Sequence, residues 1–253
     1  MKRMISLLVV ILMTSLQLEA AIVTLTPGPG LNDGSDTGTA TTGKDTGYAN
    51  GTYTGGEPVH WISNPTWAGP GRAYFQFDVL SETGPGAVIS SANLTLTNRF
   101  ALSPSFSAWP RSEVLELSVI NGAWSENSVA GLLPTTFFDS QIVDPNTAWS
   151  IIPDPLGGSG TTLVGTVTYD VTSLVQGWVD NPSSNFGVAY GIGGSAYPYN
   201  TIDPFVFTSD AVGAALSMRP SLEITFVTIP EPSSAMLTAL AFTLFGFRRA
   251  RRV

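Results

Sequence analysis

Short stretches in which apolar and polar residues alternate dominate the middle of this chain. Residues 92–97 are the clearest case, because Leu94 and Leu96 fall on one face and polar residues fall on the other. Period-two alternation places successive side chains on opposite faces of a strand. Stretches of the same kind, bounded by glycine, proline and asparagine, are 74–79, 114–120, 162–171, 187–192, 204–208 and 222–227. Seven or eight such strands predict an all-β domain, a sandwich or a jelly roll.

One segment has helical spacing instead. Leu174, Val175 and Trp178 stand at positions i, i+1 and i+4, and Thr172 or Ser173 precedes them as a candidate N-cap. The spacing predicts a helix of one or two turns within 171–179.

Residues 27–56 are rich in threonine and glycine and almost free of aliphatic residues, so we expect surface loops there with room for one edge strand. The stretch also holds four hard oxygen ligands, Asn32, Asp33, Asp36 and Asp45. Such ligands in a glycine-rich loop suit Ca²⁺, which is the one cofactor that the sequence suggests. The glutamate that closes an EF-hand loop is missing, and a solvated cluster of turn residues would explain the same composition.

Basic residues gather at the two ends of the chain. The 253 residues include 11 Lys and Arg, 19 Asp and Glu, and no cysteine. Between positions 21 and 229 there are 5 basic and 17 acidic residues, so the body carries a charge near −12. An acidic body gives no support to nucleic-acid binding. Without cysteine, disulfides and thiolate metal sites are excluded.

Residues 1–21 have the features of a secretory signal peptide. Lys2 and Arg3 form the basic start, residues 5–13 form the apolar core, and Ala20 and Ala21 are small residues at the predicted cut. The exact cleavage point stays open, and a buried N-terminal helix is the alternative.

A second apolar segment, 233–247, is followed by the basic cluster Arg248, Arg249, Arg251 and Arg252. A helix of this length spans about 22 Å, less than the hydrocarbon core of about 30 Å, so it inserts with local thinning of the bilayer. Arginines after the helix place the C-terminus in the cytoplasm and the body outside. The signal peptide predicts the same topology.

Pro230, Glu231 and Pro232 stand just before that apolar segment. The order Pro-Glu-Pro, short apolar helix and terminal arginine cluster resembles the PEP-CTERM sorting signal of Gram-negative bacteria, also known as the ice-binding protein C-terminal segment. The resemblance implies that residues 229–253 are recognised by exosortase, a membrane protease-transpeptidase, which cleaves near the motif. The protein, held transiently in the membrane, would then pass to the cell envelope or the extracellular matrix. A plain C-terminal anchor is the alternative.

Six blocks of the body follow one another in a recognisable order. They are 71–78 (GRAYFQFD), 87–96, 124–129, 169–178, 185–188 and 219–224. Together they resemble the DNRLRE domain, which is related to carbohydrate-binding module family 96. The resemblance implies that residues 71–228 form a non-catalytic β-sandwich of jelly-roll type, exported and often found beside polysaccharide-active domains. It stops before residue 70, because the threonine- and glycine-rich part, 22–70, replaces the short N-terminal strands of the family.

Residues suited to catalysis are sparse. His60 is the one histidine and no G-x-S-x-G elbow accompanies it, so a serine-hydrolase triad is not supported. Asp78, Glu126 and Asp170 could in principle form a glycosidase pair. At strand ends, however, carboxylates more often cap turns or pair with an arginine such as Arg72 or Arg219.

Aromatic residues among proline, glycine and serine, which we expect to lie in loops, are the candidate sugar-binding groups. They are Trp61, Trp67, Trp109, Tyr197 and Tyr199. Trp124 and Trp178 lie in patterned blocks and are predicted core residues. The sequence therefore predicts an exported, non-enzymatic envelope or matrix protein that binds extracellular polysaccharide. A structural matrix protein without a defined ligand and a polysaccharide-cleaving enzyme are the alternatives.

Overall fold

Short antiparallel strands in two sheets make up most of the described chain. The computed structural model describes residues 20–26, 43–49, 52–53, 59–62, 72–101, 113–124, 136–143, 149–157, 160–192, 205–208 and 213–228. Every strand pair in these residues is antiparallel. The prediction of a mostly β domain is confirmed.

The first sheet, called sheet A, has seven described strands. They are β1 (Ala20–Leu25), β4 (Val59–Trp61), β6 (Val88–Ala101), β9 (Ser150–Pro153), β10 (Thr161–Asp170), β12 (Phe205–Phe207) and β13 (Ser221–Val227). The strand order is β1-β13-β6-β10-β9, and β12 joins β4 to the later part of β6. The chain therefore begins and ends its described part on neighbouring strands, β1 and β13.

The second sheet, sheet B, has six described strands. They are β2 (Gly43–Ala49), β3 (Thr52–Tyr53), β5 (Arg72–Phe77), β7 (Glu113–Val119), β8 (Thr136–Val143) and β11 (Val188–Ile192). Their order is β3-β2-β5-β11-β7-β8. Strand β11 is buried at all five positions because it lies in the middle of the sheet with both of its faces covered.

The two sheets pack face to face around one main core. Leu94 and Leu96 from sheet A and Phe75 and Leu115 from sheet B belong to the same buried cluster, each at most 2% exposed. The predicted apolar face of 92–97 is thus confirmed. A side-chain hydrogen bond also crosses between the sheets, because the Tyr169 hydroxyl donates to the Leu115 carbonyl at 2.7 Å.

Two short α-helices connect the sheets at one end. Helix α1 (Val79–Thr83) links β5 to β6, and helix α2 (Thr172–Asp180) follows β10 and leads to β11 through a 3-10 turn at Pro182–Ser184. A second 3-10 segment, Gly213–Met218, precedes β13. The helix predicted over 171–179 is confirmed within one residue.

The prediction that the strand continues to Val79 is wrong. Strand β5 ends at Phe77, and Val79 begins α1. The cause is Asp78, whose carboxylate accepts a hydrogen bond from the backbone N–H of Ser81 at 3.3 Å and so caps a helix start.

Four described strands precede residue 70, and two of them, β2 and β3, lie within 27–56, where the sequence predicts surface loops with room for one edge strand. The expected edge strand is present, because β2 and β3 form a hairpin at the margin of sheet B. Strands β1, β4, β8 and β9 were not predicted. The run Ile22–Leu25 carried a usable signal, since β-branched residues dominate it, but it adjoins the predicted leader.

The predicted signal helix and C-terminal membrane helix lie outside the described residues. Within the described part of the chain, no helix combines the length and apolar character needed to cross a membrane. Strand β1 begins at Ala20, inside the predicted cleavage region.

Candidate functional sites

Most of the predicted site residues lie outside the described residues. These are the sorting motif Pro230, Glu231 and Pro232, the cluster Arg248, Arg249, Arg251 and Arg252, the aromatic residues Trp67, Trp109, Tyr197 and Tyr199, and the oxygen ligands Asn32, Asp33 and Asp36. Of the rest, Trp61 is the last residue of β4 and Asp45 lies in β2, opposite Phe75 of β5, so the prediction that both lie in loops is wrong. Within the described residues, no group of three or more His, Cys, Asp or Glu side chains could hold a metal.

Three long connections meet sheet B at one end, which we call the loop end. Segment 63–71 leads into β5 at Arg72, segment 102–112 leads into β7, and segment 193–204 leaves β11 after Ile192. Gly191 pairs with Arg72, and Ile192 pairs with Leu115. The three connections are therefore attached to three adjacent strands, β5, β11 and β7, at the same end of those strands.

The same three connections attach to neighbouring strands of sheet A. Segment 63–71 follows β4, segment 102–112 follows β6, and segment 193–204 leads into β12 at Phe205. Phe205 pairs with both Trp61 and Arg99. Each connection thus joins a strand of one sheet to a strand of the other, and the described residues on both sides of it lie at the loop end.

A buried hydrogen bond shows that the loop ends of the two sheets coincide. The Tyr190 hydroxyl, near the end of β11, donates to the Asn98 side-chain oxygen, near the end of β6, at 2.9 Å. Asn98 and Tyr190 are fully buried, and burial raises the pKa of Tyr190 well above its ordinary value. Beside them, Arg99 forms an ion pair with Asp154 at 2.7 Å. The loop end therefore holds a buried polar pair and, next to it, an ion pair.

A cleft of about 370 Å³ opens at the opposite end, which we call the helix end because α1 and α2 lie there. It lies between the end of β7, the face of α2 and the chain after the 3-10 turn. Its lining is Val119, Ile120, Asn121, Ser173, Leu174, Gly177, Trp178, Ser184 and Phe186. This lining has no charged side chain.

Helix α2 is held in place by polar contacts with β6. Thr172 donates its hydroxyl to the Asp170 carboxylate at 2.6 Å and accepts the Ala92 N–H at 2.9 Å. The Gln176 side chain accepts from the Ile89 N–H at 2.8 Å. The prediction that Thr172 or Ser173 caps the helix is wrong, because the side chain that accepts a backbone N–H at this helix start is that of Asp170. Asp170 accepts the Thr172 N–H, which lowers the pKa of Asp170, the Thr172 hydroxyl contributing most.

Aromatic rings form the floor of the cleft. Trp178 is 4% exposed, and the half-buried Phe186 accepts a hydrogen bond at its carbonyl from the Trp124 indole at 2.7 Å. Trp124 is 6% exposed, so the prediction of Trp124 and Trp178 as core residues is confirmed. Asn121 donates to Thr136 at 3.1 Å at the rim. The cleft therefore combines apolar surface with uncharged polar groups, and its volume is at the lower end for small-molecule pockets.

Two of the three carboxylates considered for a glycosidase pair, Asp78 and Asp170, have structural partners. Asp78 accepts from the Ser81 N–H, and Asp170 accepts from both the N–H and the hydroxyl of Thr172. The interpretation of both as turn caps is confirmed. Glu126 lies outside the described residues.

The comparisons with known proteins leave the family of this chain open. No family model matches the sequence, and no curated protein matches it.

Proposed function

We propose that this chain is an exported, non-enzymatic protein of the cell envelope or extracellular matrix that binds polysaccharide through a β-sandwich of jelly-roll type. A signal helix precedes the sandwich, and a short membrane helix with an exosortase sorting signal follows it. These parts rest on the sequence patterns at the two ends and on the DNRLRE-like blocks. The two-sheet architecture supports the proposal, because it carries loops at one end on a rigid support.

One observation carries the binding function. The three connections that contain Trp67, Trp109, Tyr197 and Tyr199 all attach at the loop end, on adjacent strands of both sheets. Trp61 ends β4 at the same end. The segments that contain the candidates for stacking on sugar rings are thus attached to one end of the domain, which supports a binding site there.

The charge of the body favours neutral polysaccharides. A domain near −12 repels acidic polymers at low ionic strength. An acidic polysaccharide would need a bridging cation, and Ca²⁺ with Asn32, Asp33, Asp36 and Asp45 is the candidate. We therefore expect neutral polymers to bind without calcium.

Binding is tested with the full-length chain in a polyoxyethylene detergent, whose headgroup carries no sugar. A panel of neutral and acidic polysaccharides is screened by affinity electrophoresis, with calcium and with a chelator. Trp67→Ala and Trp109→Ala should each weaken binding by up to about tenfold, since an aromatic contact contributes about 0.5–1.5 kcal/mol. Phe137→Ala, at a 59% exposed position on β8, is the matched control and should bind normally.

The cleft at the helix end is the competing location for the sugar site. Gly177→Ala adds a methyl group to its lining, and nothing lies within 4 Å of the added atom. The change should also stabilise α2 by up to about 1 kcal/mol, because glycine is a poor helix former. Weaker binding by this more stable variant would locate the site in the cleft and contradict the loop end.

Two further outcomes of the binding screen would favour one of the alternative functions. If no polysaccharide binds under either calcium condition, a structural matrix protein without a ligand replaces the proposal. Release of reducing ends from a polymer would instead show a glycan-cleaving enzyme.

Sorting has its own test. In cells that contain an exosortase, mass spectrometry should find the C-terminal tail removed from the natural chain and retained when Pro230, Glu231 and Pro232 are replaced by alanine. Identical products from both chains would contradict exosortase processing.

A further inference from the structure

The two ends of the described domain lie side by side. In sheet A, Ala20 of β1 pairs with Val227 of β13, and Val227 also pairs with Val88 of β6. Only Thr228 follows β13 in the described residues. The segments 1–19 and 229–253 therefore join the sandwich at one point, on adjacent strands.

That point belongs to the helix end. Val88 is the first residue of β6, and its neighbours Ala87 and Ile89 are both hydrogen-bonded to Gln176 of α2. Strand β6 then runs for 14 residues to Ala101 at the loop end. At about 3.3 Å per residue, the two ends of the domain are about 45 Å apart.

We infer that the helix end faces the lipid bilayer and that the loop end points away from it. The inference rests on the proposed membrane anchoring. Both apolar terminal segments join the domain at the helix end, so each of them tethers that end for as long as it stays attached, before processing is complete. Strand β13 is hydrogen-bonded to β1 on one side and to β6 on the other up to Val227. Unpairing the end of β13 alone therefore does not let the domain reverse its orientation. The polysaccharide-binding end is thereby displayed outward.

The negative charge of the helix end keeps this surface from adhering to a bilayer with anionic headgroups. Asp78, Glu82, Asp170 and Asp180 are all exposed there. The described residues 78–92, 118–124 and 167–187 around this end contain no Lys or Arg, and Lys44 of β2, which pairs with Gln76, is the basic residue nearest to them. Anionic headgroups therefore repel it, and the repulsion is screened by salt.

The absence of cysteine permits a direct test. In the full chain, Ser183→Cys places a thiol on the 3-10 turn at the helix end, and Thr161→Cys places one at the exposed start of β10 at the loop end. Each thiol is labelled with the same donor dye. The proteins are then reconstituted into phosphatidylcholine vesicles, with and without phosphatidylglycerol, that contain an acceptor-labelled lipid.

Energy transfer to the lipid should be several-fold greater from position 183 than from position 161. With phosphatidylglycerol, transfer from position 183 should fall at low salt and recover when salt is added. Equal transfer from both positions, or greater transfer from position 161, would overturn the orientation. Flotation of the vesicles separately reports anchoring, and a chain that does not float with them would contradict the proposed membrane segment as well as the inference.

Discussion

Gly165 shows how one residue without a side chain makes room for a large ring. It lies in β10, and the indole of Trp149 occupies the space where a Cβ atom on Gly165 would stand. Trp149 is 7% exposed and belongs to the main core. The alternation in 162–171 predicts the strand, but it gives no reason for a glycine in the middle of it.

We expect Gly165→Ala to destabilise the fold by about 1–3 kcal/mol, because the added methyl group forces the Trp149 ring out of its position. The free energy of unfolding is measured by urea denaturation, with Trp fluorescence as the signal. Gly160→Ala is the control, since nothing lies within 4 Å of a Cβ atom there. Equal stability of the two variants would show that the ring can move without cost.

Helix α2 illustrates how an element depends on its flanking residues. Its buried face consists of Val175, Trp178 and Val179, but its start is fixed by Asp170, two residues before the first helical residue. The hydrogen bonds from Thr172 lower the pKa of Asp170 below its ordinary value of 3.8. Asp170 is fully exposed, so its influence on the fold is local to this helix start.

The lowered pKa of Asp170 gives a pH prediction. Between the folded and the ordinary pKa, the folded state binds fewer protons than the unfolded state, so stability decreases as the pH falls. The contribution is fully present above pH 3.8 and is lost as the pH falls through the folded pKa. Asp170→Asn should therefore flatten the acid limb of a plot of melting temperature against pH.

Thr172→Val provides the control for this prediction, because it removes the hydroxyl that contributes most to the lowered pKa. In a Thr172→Val background, the Asp170→Asn change should have a smaller effect on the acid limb. An acid limb of unchanged slope in the single Asp170→Asn variant would contradict the assignment.

At the scale of the whole domain, the first and last described strands pair with each other and complete sheet A. Strand β1 covers one side of β13 over six residue pairs, and Leu25 of β1 is 1% exposed in the main core. A cut after Ala21 would leave four of these pairs, from Ile22 to Leu25. The domain is therefore compatible with removal of residues 1–21, and it depends on the four residues that follow.

A chain that begins at Thr26 should be unstable and prone to aggregation. It loses the Leu25 side chain, a core deletion that costs about 2–5 kcal/mol by itself, and it exposes the edge of β13. Thermal unfolding and size-exclusion chromatography compare it with a chain that begins at Ile22. Two monodisperse proteins with equal melting temperatures would show that β1 is dispensable.

Local pattern predicted those features that depend on near neighbours in the chain. The predictions of the apolar strand face in 92–97 and of helix α2 were correct, because the strand follows from a repeat of two residues and the helix from a repeat of about four. Val79 was misassigned to a strand because an apolar residue after a strand fits the alternation equally well. The capping bond from Ser81 to Asp78, which begins a helix instead, depends on backbone geometry that the pattern does not contain.

The sequence by itself determined the β character of the body, its acidic charge and the apolar, basic ends, because these follow from composition and short-range order. Only the tertiary structure decided which parts meet. The pairing of Ala20 with Val227 joins residues more than two hundred positions apart, and no local period encodes it. The same holds for the three connections at the loop end and for the cleft beside α2. Their positions follow from strand order, which long-range packing of the two sheets fixes.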